Sequence, residues 1–207
     1  MTESEKDLYD KLRGNCWNNV SDTFGYQYIF DKRADKFGRR LNWLKVLGII
    51  VPAAIGATAL GYGLDNTLLK NLMNIAIPVT TVQFLVSVLA VIYKWDEELS
   101  YSFEASHAHN NLYRKYKRLA EFPPTDYIEF SRQYYLIDEE HNSRVLQDSK
   151  HNIKERERRM GMRWSLREHQ KECVGCKEVP QSINSTDCDV CGKFYSNYQL
   201  LKYIQTL

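Results

Sequence analysis

Two long uncharged segments lie next to each other near the middle of the 207-residue chain. Residues 46–64 read VLGIIVPAAIGATALGYGL, and residues 71–93 read NLMNIAIPVTTVQFLVSVLAVIY. A helix needs about 20 mainly apolar residues to cross the hydrocarbon core of a bilayer, so each segment is long enough to span it. The alternative is a buried hairpin in a soluble bundle, which would need more apolar sequence around it than this chain has. We therefore predict a two-span transmembrane hairpin over residues 46–93.

The charges that flank the hairpin predict its orientation. A basic group precedes the first span, opposed there by Asp35 alone: Lys32, Arg33, Lys36, Arg39, Arg40 and Lys45. Lys94 follows the second span, whereas the connector between the spans carries only Lys70 as a basic residue. Because positive charge concentrates on the cytoplasmic side, both termini are expected to be cytoplasmic. Residues 1–26 are too polar for a signal peptide, so we expect the first span to act as the targeting signal.

The two spans differ in the small and polar side chains that they carry. A small-xxx-small stripe repeats every fourth residue in the first span: Ala53, Ala57 and Gly61. Such a stripe lets helices pack closely. A weakly polar stripe falls within about 60° on the second span: Thr80, Gln83 and Ser87. These side chains either hydrogen-bond the partner helix or face a water-filled lumen in an oligomer, because polar groups at membrane depth avoid lipid.

Outside the hairpin, the sequence predicts helices and a small terminal module. Residues 4–40 and 95–171 have helical character, and Pro123-Pro124 should end the helix that continues the second span. We expect Thr125 to cap the next helix, and the sequence leaves open whether that helix stays straight or breaks at Gly161. The predicted fold is an all-α integral membrane protein with four parts: an N-terminal cytoplasmic helix region (1–45), the hairpin (46–93), a cytoplasmic helical region (94–171) and a four-cysteine zinc-binding module (172–207).

A basic run in the cytoplasmic helices is a candidate phosphate site, with a solvated helix face as the alternative: Arg114, Lys115, Lys117 and Arg118. The chain has 28 Lys+Arg against 26 Asp+Glu, so it lacks the charge excess of a nucleic-acid-binding protein, and we expect no nucleic-acid partner.

His107 and His109 should point to different sides of a helix, which argues against a metal pair. The sequence contains no Gly-rich phosphate loop, nucleophile–base pairing or HExxH motif, so we expect neither an enzyme nor catalytic residues.

Four of the five cysteines form two CxxC pairs near the end of the chain. The sequence CVGCKEVPQSINSTDCDVC places Cys173 and Cys176 eleven residues before Cys188 and Cys191. A CxxC turn can present both thiolates to one cation, and four thiolates in a closed shell suit structural Zn²⁺. An iron–sulfur cluster is an alternative, whereas two disulfides are disfavoured in the reducing cytoplasm. We therefore predict a structural zinc site at these four cysteines.

Together these features resemble a known group of bacterial proteins. The basic entry FDKRADKFGRRLNWLKVLG, the hairpin and the helix EELSYSFEASHAHNNLYRKYKRLAE resemble the SLATT families of two-span proteins. The CxxC-x11-CxxC end is similar to that of mobilome CxxCx(11)CxxC proteins. The resemblance implies a bacterial inner-membrane effector in antiphage or mobile-element conflict, which forms a homo-oligomer and permeabilises the membrane. It also implies a separate nucleotide-signalling or sensor protein as a partner.

A second reading assigns the chain to a different functional class. The hairpin would then be only a tether, and the cytoplasmic helices and the zinc ribbon would recruit another protein or a nucleic acid. This membrane-anchored interaction or signalling module needs no pore and no assembly of the spans.

Overall fold

A computed structural model describes residues 3–62 and 67–194 of the chain. Their helices are α1 (Glu3–Tyr62), α2 (Thr67–Ile92), α3 (Trp95–Glu121), α4 (Tyr127–Asp148) and α5 (Glu155–Glu168), and a 3₁₀ turn covers Ser149–His151. No strand occurs among these residues, which confirms the all-α prediction for this part of the chain. Two predicted segments lie outside the described residues. They are Asp65 and Asn66 of the connector, and the part of the zinc-binding module that follows residue 194.

The chain divides into two compact units. The helical unit comprises Met1–Asp31 and Glu104–Leu207, and the hairpin unit comprises Lys32–Phe103. The first half of α1 therefore belongs to the helical unit and its second half to the hairpin unit. The division of α3 falls between Phe103 and Glu104, so most of that helix belongs to the helical unit.

The hairpin unit contains two helices that are long and apolar enough to cross a membrane, which is weak evidence for membrane association. None of the apolar stretch in α1 and only 11 % of that in α2 is buried within the chain. Both helices continue through a proline, Pro52 in α1 and Pro78 in α2. The unit thus has a largely apolar and exposed surface along both helices.

A short turn separates α2 from α3, where the sequence suggested one continuing helix. Lys94 has a φ of 51°, in the left-handed region that commonly ends helices. Its N–H donates to the carbonyl of Val91 at 3.1 Å, which closes the last turn. The first turn of α3 then carries Asp96, Glu97 and Glu98, whose negative charge is favourable at a helix N-terminus.

The core of the helical unit lies where α1, α3 and α4 meet. Its buried side chains are Leu12, Cys16, Leu119, Ala120 and Phe130. Hydrogen bonds join the same helices: the Tyr9 hydroxyl donates to the Pro124 carbonyl at 2.9 Å, and Arg13 donates to the Ala120 carbonyl at 3.0 Å. Burial also raises the pKa of the Cys16 thiol to about 12, so this cysteine is a core side chain and not a reactive one.

The structure corrects the capping residue of α4 and shows where the helix that follows it ends. Asp126, and not Thr125, is the N-cap of α4, because its carboxylate accepts the Glu129 N–H at 2.9 Å. The sequence left open whether the helix breaks at Gly161. The helix ends at Asp148, the 3₁₀ turn follows, and Gly161 lies inside α5.

Gly161 has a packing role instead. A Cβ atom built on Gly161 would lie 2.6 Å from the carbonyl oxygen of Gly25 in α1. A Cβ atom on Gly25 would in turn lie 3.1 Å from the carbonyl oxygen of Gly161. The two glycines therefore allow the backbones of α1 and α5 to approach more closely than helices with larger side chains at these positions.

Candidate metal centre

The four cysteines of the CxxC pairs come together in the helical unit. Their Sγ atoms all lie within 4.8 Å of one another. The Sγ atoms of Cys173 and Cys188 are 3.9 Å apart, as are those of Cys176 and Cys191. Four sulfurs bound tetrahedrally at the usual zinc–sulfur distance would be about 3.8 Å apart. The cysteines are thus arranged as a closed four-sulfur site that can hold a metal ion.

The two CxxC turns share one hydrogen-bond pattern. The N–H of Gly175 donates to the Sγ of Cys173, and the N–H of Val190 donates to the Sγ of Cys188, both at 3.4 Å. In each turn, the N–H four residues after the first cysteine donates to that cysteine's carbonyl, at 2.8 and 2.9 Å. Hydrogen bonds to sulfur favour its charged form, so both turns support thiolates.

Close approach explains the glycines at Gly175 and Gly192. A Cβ atom on Gly175 would lie 2.7 Å from the Cγ2 atom of Val190 in the other turn. A Cβ atom on Gly192 would lie 2.2 Å from the carbonyl oxygen of Thr186. A larger residue at position 175 would therefore force the two turns apart, and one at position 192 would displace the segment that leads into the second turn.

The thiols of Cys188 and Cys191 have pKa values shifted in opposite directions. Backbone N–H groups of Cys191 and Val190 lower the pKa of the Cys188 thiol to about 6. Burial raises the pKa of the Cys191 thiol to about 12. Neighbouring thiolates repel one another, and the positive charge of a bound cation offsets this repulsion and so favours deprotonation of the coordinating thiols.

Arg163 of α5 connects the helical core to the cysteine cluster. It is 7 % exposed, its Nε donates to the Ser182 carbonyl at 2.8 Å, and its Nη1 lies 3.5 Å from the Sγ of Cys191. Leu166 of the same helix packs against Cys173 and Cys191. The guanidinium therefore supports the sulfur ligands from outside the cluster, as outer residues of metal sites commonly do. Sequence analysis missed Arg163 because it lies in a run of mixed charges that is typical of a solvated helix.

The residues of the small-xxx-small stripe are all exposed on α1: Ala53, Ala57 and Gly61. A Cβ atom on Gly61 would contact nothing within 4 Å. Within the described residues, this stripe is therefore not the surface through which α1 packs on α2.

The polar residues of α2 have separate roles. The Gln83 side-chain amide donates to the Leu44 carbonyl on α1 at 3.2 Å, which is a contact between the two apolar helices. The Thr80 hydroxyl bonds to the Ala76 carbonyl at 2.8 Å, and the Ser87 hydroxyl bonds to the Gln83 carbonyl at 2.9 Å. In this structure Gln83 is a helix-contact residue, whereas Thr80 and Ser87 bond within their own helix.

The two lysines of the basic run each lie beside a carboxylate. Lys115 forms an ion pair with Glu140 of α4, and Lys117 lies 3.9 Å from Glu121. Arg114 and Arg118 are exposed. The structure therefore places the two lysines in ion pairs, and a phosphate site at these four residues stays a prediction.

A buried ionic network in the helical unit was not apparent from the sequence. His109 is fully buried, and its Nε2 lies 2.7 Å from Asp148. Arg144 donates to the same carboxylate at 2.9 Å and to Glu104 at 2.6 Å. His107, by contrast, is exposed, so the two histidines lie apart as expected. A separation of 39 residues between His109 and Asp148 left no local pattern that could reveal the pair.

Comparison with known protein families gives a match over most of the chain. Residues 13–194 match the family described as Mobilome CxxCx(11)CxxC protein. The chain belongs to this family. The match extends from α1 through the second CxxC turn, so the helices and the cysteine spacing are parts of the same family pattern. No curated protein and no solved structure gives a match, and the resemblance to the SLATT families stays a prediction.

Proposed function

We propose that this chain is a membrane effector of a bacterial antiphage or mobile-element conflict system. It assembles into a homo-oligomer that permeabilises the inner membrane on activation, without enzymatic chemistry. The observation that carries the proposal is the exposure of both apolar helices in the hairpin unit, where Ile49 is 70 % and Val91 is 78 % exposed. Leaving apolar area in water costs about 25 cal/mol per Å², and a bilayer removes that cost.

Three further observations support the proposal, one each for assembly, orientation and the role on mobile elements. The stripe of Ala53, Ala57 and Gly61 is exposed on α1, where a second copy can approach closely. The basic residues before the first span favour a cytoplasmic location for both ends of the hairpin unit. Membership of a mobilome family supports a role on mobile genetic elements.

The metal in this proposal is Zn²⁺ in a structural role. Four sulfur ligands in a closed shell favour zinc or an iron–sulfur cluster over hard cations, and they leave no open position for catalysis. Zinc would hold the two CxxC turns together and fasten them to α5 through the contacts of Leu166. Absorption in the visible region would identify an iron–sulfur cluster instead.

A second candidate function is the membrane-anchored interaction module. The hydrogen bond from Gln83 to the Leu44 carbonyl favours it, because this polar side chain already has a partner within the hairpin and needs no water-filled lumen. In this reading the cytoplasmic part would retain its function on an unrelated membrane anchor. In the effector reading that replacement would abolish permeabilisation.

Dye leakage from vesicles tests the effector function. Purified zinc-loaded protein is reconstituted with a trapped dye, and cross-linking in the same vesicles reports assembly. The Ala57→Phe variant should lose both cross-linked oligomers and leakage, whereas Val91→Phe, a bulky change at another exposed apolar position, should keep both. Wild-type oligomers that release no dye would contradict a pore that opens without an activator and would favour the anchored module.

A further inference from the structure

An apolar groove in the hairpin unit lies between α1 and α2 and ends beside the first residue of α3. It has a volume of about 550 Å³. Its long walls include Leu47 of α1 with Val79 and Val82 of α2. Along α2 the groove extends from Pro78 to Val86, which corresponds to about 12 Å of helix. The shape is therefore elongated and suits a flexible hydrocarbon chain.

One end of this groove is cationic and aromatic. Arg40, Trp43 and Trp95 line that end. The Arg40 guanidinium lies over the Trp95 ring, 5.1 Å from the ring centre. Stacking uses the face of the guanidinium and leaves its N–H donors at the edge, where they can bind a phosphate bidentately. Tryptophan side chains favour the headgroup level of a bilayer, so this end has the chemistry of a lipid headgroup site.

We propose that the groove binds one anionic phospholipid, with its phosphate on Arg40 and an acyl chain along Leu47, Val79 and Val82. The inference rests on the proposed membrane location of the hairpin. Charge complementarity selects this occupant over a second copy of the chain. Residues 32–45 and 94–98 beside the groove hold seven basic residues against four acidic ones, so each copy is net positive there and two copies meeting at the groove would repel each other.

Lipid retention by the full-length protein tests the site. The delipidated protein is reconstituted in phosphatidylcholine vesicles that contain some phosphatidylglycerol, extracted in mild detergent, and analysed by native mass spectrometry. Wild type should retain one phosphatidylglycerol per protomer in preference to phosphatidylcholine. Arg40→Gln should lower the ratio of bound phosphatidylglycerol to bound phosphatidylcholine about fivefold, the factor for about 1 kcal/mol from one charge near an anionic surface.

Two matched controls locate the lipid. Arg39→Gln removes a neighbouring charge that is outside the groove lining, and it should retain the lipid as wild type does. Val82→Trp fills the groove and should lose the lipid, whereas Val91→Trp places the same side chain on α2 outside the groove and should not. Equal occupancy in all four variants would overturn the site, as would equal retention of both phospholipids.

The remaining outcomes separate this inference from the proposed function. Wild-type protein that sodium carbonate washes off the vesicles would overturn both. Firmly inserted protein that retains no phospholipid would overturn the lipid site alone. Disulfide formation between copies of a Val82→Cys variant in the vesicles would identify a second copy as the occupant, and it would also overturn the lipid site.

Discussion

Gly161 and Gly14 both lie within helices, but only Gly161 is in close contact with another helix. We expect Gly161→Ala to destabilise the protein by about 1–3 kcal/mol, because the new Cβ would overlap the Gly25 carbonyl and Ile29. Gly14→Ala meets nothing within 4 Å and should stabilise α1 by about 0.5–1 kcal/mol. Thermal unfolding of the full chain in detergent measures both. Equal changes in the two variants would contradict the packing role of Gly161.

His141 should make stability depend on pH. Burial lowers its pKa below the usual 6.5. The unfolded chain then binds a proton at a higher pH than the folded chain, so stability is lost as pH falls from about 6.5 toward the folded pKa. We expect the unfolding temperature of wild type to fall more between about pH 7.5 and pH 5.5 than that of His141→Gln. The cysteine centre is common to both proteins, so parallel declines would contradict a contribution from His141.

At the scale of elements, Gln83 should help to hold α2 against α1. Gln83→Leu removes its bond to the Leu44 carbonyl and should lower hairpin stability by about 0.6 kcal/mol, a typical value for such bonds in membranes. Thr81→Val is the matched control, because the Thr81 hydroxyl bonds only to the Ile77 carbonyl of its own helix. Denaturant titration in detergent should separate the two variants. Equal stability would contradict an interhelical role for Gln83.

The cysteine turns should depend on their metal. Cys176→Ser removes one ligand, and it should reduce bound zinc below one ion per chain and expose residues 172–194 to protease, because metal binding stabilises small modules of this kind. Cys16→Ser is the control, since Cys16 lies in the core of α1, α3 and α4 and not in the cluster. Elemental analysis and limited proteolysis report the two effects. Full zinc content in Cys176→Ser would contradict the four-sulfur site.

The features that sequence analysis identified are local ones. Each CxxC pair is contained in a single turn, and each span is one uninterrupted apolar segment, so neither needed knowledge of distant contacts. The N-cap of α4 was misplaced by one residue because Thr125 and Asp126 are both good capping residues, and only the bond to the Glu129 N–H distinguishes them.

The features that sequence analysis missed depend on contacts between distant residues. The sequence left open whether Gly161 breaks a helix, and its packing role follows from Gly25, which lies on α1. Arg163 gains its role from the cysteine turns, and His109 from Asp148. Single-sequence periodicity shows which residues share a helix face, but it does not show which helix covers that face.

For the whole molecule, every functional proposal depends on the hairpin crossing the bilayer with both of its ends on the cytoplasmic side. Alkaline phosphatase is active only outside the cytoplasm, whereas green fluorescent protein folds well inside it, so paired fusions report the location of each site. The reporters are placed between the two spans and, separately, after Leu207.

The account predicts that phosphatase is active between the spans and inactive after Leu207, where the fluorescent reporter is bright. The termini and the cysteine module would then share the cytoplasmic side. Inactive phosphatase and a bright fluorescent reporter at both positions would contradict the account, because the hairpin would then not cross the membrane.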